Sequence, residues 1–100
     1  MELKQLTQAM QAFVESQGWD QPNSPRPQTP KNLAASLCIE VAEVLELFQW
    51  SEDMPEKRLL ADELADVTLY LLQLASVSGI DLEEAILEKL QLNYNRRWDQ

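Results

Sequence analysis

Four acidic residues have the clearest potential for chemistry, because they form two pairs three residues apart, Glu40 with Glu43 and Glu63 with Asp66. Residues at this spacing lie about 60° apart around a helix axis, so each pair presents two carboxylates on one face. If the two helices run antiparallel, the pairs can oppose each other. Clustered carboxylate oxygens suit a hard cation such as Mg²⁺ or Mn²⁺. The spacing therefore predicts a candidate metal site.

The same pairs could instead lie on solvated helix faces, where acidic residues are common. Both pairs, however, lie within strongly apolar stretches, residues 37–48 and 59–74. Carboxylates in such stretches are expected to border the core, where a charged group needs a partner. With eight basic residues in the whole chain, a metal ion is the simplest partner.

The composition excludes several other functions. The chain contains no histidine, which excludes histidine general bases, serine or cysteine triads, and the usual zinc and di-iron ligand sets. A net charge of −9 argues against a nucleic acid partner, because phosphate backbones bind basic surfaces. Cys38, the only cysteine, cannot form an intrachain disulfide. Since we find no signal peptide and no apolar run of membrane-spanning length, we expect a cytoplasmic protein without a membrane partner.

Helical periodicity and only two glycines predict an all-α fold, a four-helix bundle in one domain spanning residues 1–100. A proline-rich loop, residues 19–30, separates the first helix from the rest. Thr29 followed by Pro30 predicts a helix start. Gly79 fits a helix end, and Asp81 an N-cap. The predicted helices span residues 1–18, about 30–50, about 55–78, and 81 to the Arg96–Arg97 pair.

The apolar residues at helical spacing predict the buried faces of the first three helices. They are Leu3, Leu6, Met10, Phe13 and Val14, then Leu33, Leu37, Val41, Val44 and Phe48, then Leu60, Leu64, Val67, Leu71 and Leu74. A chain of 100 residues buries a modest fraction of its surface, and 45% of these residues are hydrophobic. We therefore expect a homo-oligomer, a tetramer or a dimer.

Several motifs together carry a family resemblance. They are Pro30-Lys31-Asn32-Leu33-Ala34, Glu40-x-x-Glu43, Leu47-Phe48-Gln49-Trp50, Glu63-Leu64-x-Asp66-x-x-x-Tyr70 and Lys89-x-x-x-Asn93. Over about residues 19–98 the chain resembles the MazG-like all-α NTP pyrophosphatases, and most closely the dCTP-pyrophosphatase branch. Two positions differ from the family pattern. Ile39 stands where many members carry a further glutamate, and Pro27-Gln28 stands where that branch often has an aromatic–histidine pair.

The resemblance implies a Mg²⁺-dependent hydrolase, with Mn²⁺ able to substitute, that converts a (d)NTP such as dCTP to the (d)NMP and pyrophosphate in nucleotide house-cleaning. It implies that Glu40, Glu43, Glu63 and Asp66 are the catalytic metal ligands. The candidate substrate-binding residues are Lys31, Asn32, Trp50, Tyr70, Lys89, Asn93, Trp19 and Arg97. The two tryptophans and Tyr70 are equally suited to a core or an interface. The polar residues would also fit a solvated helix face.

A function of another class also fits the sequence, namely a non-catalytic helical interaction module whose acidic faces keep it soluble. Stabilisation by a divalent metal would distinguish the two, because a ligand that binds only the folded state stabilises it by mass action. Base and sugar preference, the number of metal ions and the oligomer size are left open by the sequence.

Overall fold

The computed structural model describes residues 1–96. Over that range the chain forms four α-helices and no strand: α1 (Leu3–Ser16), α2 (Pro30–Glu46), α3 (Lys57–Val77) and α4 (Leu82–Tyr94). The prediction of an all-α fold with four helices is confirmed. None of the described helices is both long enough and apolar enough for a membrane span.

The predicted helix starts are confirmed by their capping hydrogen bonds. The hydroxyl of Thr29 accepts from the backbone N–H of Asn32 at 3.1 Å, and Pro30 occupies the first helical position. The carboxylate of Asp81 accepts from the backbone N–H of Glu84 at 3.1 Å. Gly79 has a φ of +69°, the left-handed conformation that glycine adopts without strain. These caps fix where α2 and α4 begin and where α3 ends.

The end of α2 differs from its prediction. The helix ends at Glu46, and residues 47–50 form a turn rather than the last helical turn that we expected. The backbone N–H groups of Leu47, Phe48 and Gln49 donate to carbonyls three residues earlier, at 3.0–3.2 Å. Hydrogen bonds to the third residue back are common at helix ends. The apolar residues keep their helical spacing through this turn, so the sequence pattern does not show where the α-helix ends.

The helices α2 and α3 pack antiparallel, and α1 packs on α3. Gln28, just before α2, is hydrogen-bonded to Gln73 near the end of α3, whereas Glu40 in the second half of α2 lies near Glu63 in the first half of α3. Met10 and Val14 of α1 form a buried cluster with Leu72 of α3. The side chains of Leu3, Trp19 and Leu82 pack against that cluster. The core therefore lies between α1 and one face of α3.

Apolar residues outside this core are exposed on all four helices within one chain. No residue of α4 is buried, and only Leu82 at its start packs against the core cluster. Residues predicted to be buried are exposed at five positions, namely Leu6, Phe13, Val41, Leu64 and Leu71. Leu6 and Phe13 line the cavity described below, whereas Val41, Leu64 and Leu71 are exposed because no other described helix covers them. A four-helix bundle closes its helices around one shared core. In a single protomer of this protein α4 does not take part in such a core, apart from Leu82 at its start.

Candidate metal centre and adjoining cavity

The antiparallel packing of α2 and α3 brings three predicted carboxylates together. One oxygen each from Glu40, Glu43 and Glu63 lies within 4.8 Å of the others. The i,i+3 spacing places Glu40 and Glu43 on one face of α2. The register with α3 then places Glu63 opposite both. All three side chains are half-buried.

Asp66, the fourth predicted ligand, is more exposed and is not one of the three carboxylates that lie within 4.8 Å of one another, but it is close enough to act on them electrostatically. Its charge acts on both Glu40 and Glu63 and raises the pKa of each. Asp66 also lines the large cavity described below. It therefore connects the carboxylate cluster to that cavity.

The cluster is electrostatically unfavourable without a cation. Burial is the largest cause that raises the pKa of Glu40, followed by a hydrogen bond and repulsion from Glu43. The same causes, in the same order, raise the pKa of Glu63. The described charged groups that act on these two pKa values are all acids. Each added negative charge therefore makes the others harder to ionise.

Two carboxylate oxygens provide a direct test of whether a metal fits. The Oε2 atoms of Glu40 and Glu63 are buried and have no hydrogen-bond partner among the described residues. An unpaired buried acceptor is costly, and most such groups in folded proteins have a partner. A hard divalent cation would coordinate both oxygens and neutralise the mutual repulsion. The donor set thus suits a divalent metal.

A cavity of about 780 Å³ adjoins the acid cluster. Small-molecule sites typically fall between about 300 and 1,000 Å³, so this volume suits a nucleotide-sized ligand. Its apolar wall includes Met10, Phe13 and Val14 from α1. On the α3 side, Asp66, Leu69, Tyr70 and Gln73 line it, and the start of α2 with the proline-rich loop completes it.

Aromatic contacts hold the loop at the rim of this cavity. The rings of Phe13 and Trp19 meet edge to face, with centroids 5.5 Å apart and planes at 88°. The guanidinium of Arg26 lies 5.6 Å from the centroid of the Trp19 ring, within reach of a cation–π interaction. Trp19 therefore links α1 to the loop while it lines the cavity.

The structure brings three of the eight predicted substrate-binding residues to this cavity. Trp19, Asn32 and Tyr70 all line it and are half-buried. The side-chain amide of Asn32 also donates to the carbonyl of Pro27 at 3.1 Å, which ties the loop to α2.

The other predicted substrate-binding residues lie elsewhere. Trp50 is 89% exposed in the turn after α2, and Lys31 is exposed in the first turn of α2. On α4, Lys89 is exposed and Asn93 is half-buried, with an Oδ1 atom that lacks a partner among the described residues. Arg97 falls outside the described residues. Within one protomer, none of the four described residues, Trp50, Lys31, Lys89 and Asn93, lines the cavity.

Four polar residues that the sequence motifs do not single out also line the cavity, namely Arg26, Gln28, Ser36 and Gln73. Gln73 could have been identified from its position, because it is a single amide among Leu71, Leu72 and Leu74. Gln28 appeared only as a difference from the family pattern. Arg26 lies in a proline-rich loop whose path a sequence pattern does not specify.

The site and fold define an all-α protein with a half-buried carboxylate cluster, suited to a divalent metal, beside a nucleotide-sized cavity. Residues 35–98 match the MazG-like family. The chain belongs to the MazG-like family.

Similar proteins agree with this assignment. The chain is 36% identical over 93 residues to dCTP pyrophosphatase 1 from Mus musculus, a match that covers 84% of the chain and 52% of the mouse protein. The human protein of the same name is 37% identical with the same coverage. The chain thus spans about half the length of these curated relatives. A crystal structure of a pyrophosphatase from Archaeoglobus fulgidus DSM 4304 matches with a TM-score of 0.80 and 36% identity, covering 98% of this chain and 93% of that one.

Proposed function

We propose that this protein is a Mg²⁺-dependent nucleotide pyrophosphohydrolase, which converts a (d)NTP and water to the (d)NMP and pyrophosphate. The observation that carries the proposal is the carboxylate cluster, with its two unpaired buried oxygens, at the edge of a cavity of about 780 Å³. Relatives named dCTP pyrophosphatase support a deoxynucleotide substrate such as dCTP. The same proposal gives the protein a house-cleaning role in the cytoplasmic nucleotide pool.

In this proposal Glu40, Glu43, Glu63 and Asp66 hold the metal, and Mn²⁺ can replace Mg²⁺. When bound, the metal supplies charge neutralisation at phosphate oxygens and lowers the pKa of a coordinated water. A carboxylate of the Glu40–Glu43 pair orients the water that attacks the α-phosphorus. No protein nucleophile is needed. The chain has no histidine to serve as a base.

In this proposal the cavity binds the base of the substrate, and α4 binds its departing pyrophosphate. The rings of Trp19 and Tyr70 offer apolar faces for the base, and base–aromatic stacking contributes about 1–3 kcal/mol per base in single-strand binders. Lys89 and Asn93 recur one helical turn apart and would hold the departing pyrophosphate, Lys89 through its charge. The candidate contacts of Lys31, Asn32, Trp50 and Arg97 remain predictions that substitution would test one by one.

We further propose that the active form is a homo-oligomer, a dimer or a tetramer. The support is the extent of uncovered apolar surface on α2, α3 and α4. A surface of this kind on a folded chain marks an interaction site. Light scattering at micromolar concentration tests the proposal. A mass equal to one chain would refute it.

The reaction is tested by its products. Purified protein with Mg²⁺ is offered a panel of ribo- and deoxynucleoside triphosphates, and the nucleotide products are separated by chromatography. We expect a monophosphate and pyrophosphate, with orthophosphate only after a separate pyrophosphatase is added. A diphosphate as the main product would show attack at the γ-phosphorus and overturn the reaction. If no triphosphate is turned over, the alternative of a helical interaction module gains support.

A further inference from the structure

One face of the cavity carries a hydrogen-bonded pair of side-chain amides outside the acid cluster. The Nε2 of Gln73 donates to the Oε1 of Gln28 at 3.1 Å, and the Nε2 of Gln28 donates to the backbone carbonyl of Arg26 at 2.9 Å. Both glutamines line the cavity. Gln73 is 7% exposed and is the buried polar residue of the described chain.

The backbone carbonyl fixes the orientation of both amides. A carbonyl oxygen only accepts, so Gln28 must turn its NH₂ group toward Arg26 and its oxygen toward Gln73. Gln73 must in turn present its NH₂ group to Gln28. The orientation of a side-chain amide is assigned from such a network, and here each step has one solution.

The pair therefore leaves a defined pattern of free groups on Gln73. One N–H bonds to Gln28, which leaves the Oε1 acceptor and the second N–H for another partner. Such a buried amide is best satisfied by a ligand with a donor beside an acceptor. A base with an exocyclic amino group next to a ring nitrogen has this pattern. Uracil has the reverse order, a carbonyl next to a ring N–H. With the base held in the same position, its carbonyl oxygen would face Oε1 and its N–H would face the amide N–H, so neither pair could form.

We propose that Gln73, oriented by Gln28, determines base specificity by selecting an exocyclic amino group over a carbonyl. Gln73 is the reading residue, and Gln28 is a positioning residue that acts through it. The assignment rests on the proposed function, because it takes the cavity as the base site of the nucleotide substrate. It adds Gln73, which the family motifs in this sequence do not include, and it gives a role to Gln28, which stands where the branch often has a histidine.

Cytosine and uracil nucleotides provide the most direct comparison, because they are similar in size and differ at position 4 and the adjacent ring nitrogen. The first measurement is the ratio of kcat/KM for dCTP to that for dUTP. The second is the ratio of dissociation constants for dCMP and dUMP in EDTA, which requires neither metal nor turnover. We expect wild-type protein to favour cytosine in both.

Three substitutions distinguish the proposed role of Gln73, which contacts the base, from that of Gln28, which orients Gln73. Q73L removes the reading group and should reduce both ratios about tenfold, the value of one hydrogen bond of about 1.4 kcal/mol. Q28L should also reduce them, since it frees the Gln73 amide to rotate. Q28E loses the bond to the Arg26 carbonyl, because a carboxylate cannot donate, but both of its oxygens accept from Nε2 of Gln73. It should therefore keep the Gln73 amide oriented and retain the cytosine preference.

Q11L is the matched control. Gln11 also uses its side-chain amide, to donate to the hydroxyl of Ser76, but it does not line the cavity. We expect both ratios to be unchanged in this variant. Ratios in Q73L equal to those of the wild type would overturn the assignment, as would an equal loss of dCMP and dUMP binding. An absence of all triphosphate turnover in wild-type protein would instead count against the proposed function, while monophosphate binding would still test Gln73.

Discussion

Two regions of the molecule differ in how completely one chain builds them. The first, which we call the closed region, comprises α1, the proline-rich loop and the facing parts of α2 and α3. It contains the buried core, the cavity and the acid cluster. The second, the open region, comprises α4 and the segment that follows α2, residues 47–54. It contains no buried residue, yet it carries the predicted contacts Trp50, Lys89 and Asn93.

The difference indicates how the proposed site is divided. The closed region supplies groups suited to a base and a metal, both positioned by contacts within one chain. The open region carries the cationic and amide groups suited to phosphates, and it also carries much of the uncovered apolar surface. In our proposal the base and metal half is complete in a protomer, whereas the phosphate half depends on assembly. The following predictions test this division.

Removing the metal should have the largest effect. We expect EDTA to abolish pyrophosphate release and Mg²⁺ or Mn²⁺ to restore it, since the described charged groups that act on Glu40 and Glu63 are all acids and supply no counter-charge. Mg²⁺ should also raise the melting temperature of wild-type protein by mass action. Differential scanning calorimetry and a pyrophosphate assay provide the two measurements. Activity that survives thorough chelation would refute the metal mechanism.

Substituting an acid in the closed region should nearly match that loss. E43Q or D66N should lower kcat/KM about a hundred- to a thousandfold, because metal-based charge stabilisation amounts to several kcal/mol. Both variants should fold, and the metal-free forms should be as stable as wild type or slightly more so, since repulsion is relieved. E46Q is the control, an exposed acid one turn beyond Glu43 on α2. Wild-type turnover in both E43Q and D66N would show that these acids are surface residues.

A smaller effect is expected in the open region. K89A should raise KM for dCTP about tenfold, consistent with the loss of one charge-assisted hydrogen bond. Binding of dCMP, which lacks the departing phosphates, should change little. Steady-state kinetics and calorimetric titration give these values, with K57A, an exposed lysine at the start of α3, as the control. If K89A weakened dCMP as strongly as dCTP, Lys89 would not be a pyrophosphate contact.

The smallest effect concerns the stability of the metal-free protein. In the folded chain the pKa values of Glu40 and Glu63 are raised above the usual value of a glutamate, chiefly by burial. Well below that usual value both the folded and the unfolded state hold their protons. As pH rises above it, the unfolded chain releases protons first, so the free energy of unfolding contributed by these groups falls until both folded carboxyls have ionised.

Denaturant unfolding in EDTA between about pH 4 and pH 7 measures this trend as the difference between wild type and an E40Q/E63Q double variant. The wild type should lose stability relative to the variant as pH increases. A constant difference across that range would contradict the raised pKa values of Glu40 and Glu63 in the folded chain.

Several features of this protein could be predicted from short stretches of sequence because their causes are local. The Thr29–Pro30 start and the Gly79 end depend on residues within one helical turn, and both were predicted. The i,i+3 spacing places Glu40 beside Glu43 on one face. The end of α2 was not predicted, because the change to shorter hydrogen bonds at 47–49 leaves the apolar pattern unaltered.

The buried faces were predicted less well, and α3 shows why. Its periodic stripe favoured burial of Leu64 and Leu71, which are 49% and 40% exposed, whereas Leu72, Gln73 and Ala75 are buried. Apolar residues lie on more than one side of this helix, and periodicity alone does not say which side meets α1. A buried glutamine was also not expected, because its partner Gln28 is distant in sequence.

By itself, then, the sequence determined the helical class, the local caps, the pairing of acids within each helix and the exclusion of histidine chemistry. Each of these depends on residue type or on neighbours within a few positions. Only the tertiary structure decided that Glu63 lies opposite Glu40 and Glu43, that Gln28 orients Gln73, and that α4 lies uncovered. Those features depend on the register and contacts of segments far apart in the chain, which packing sets and local spacing does not encode.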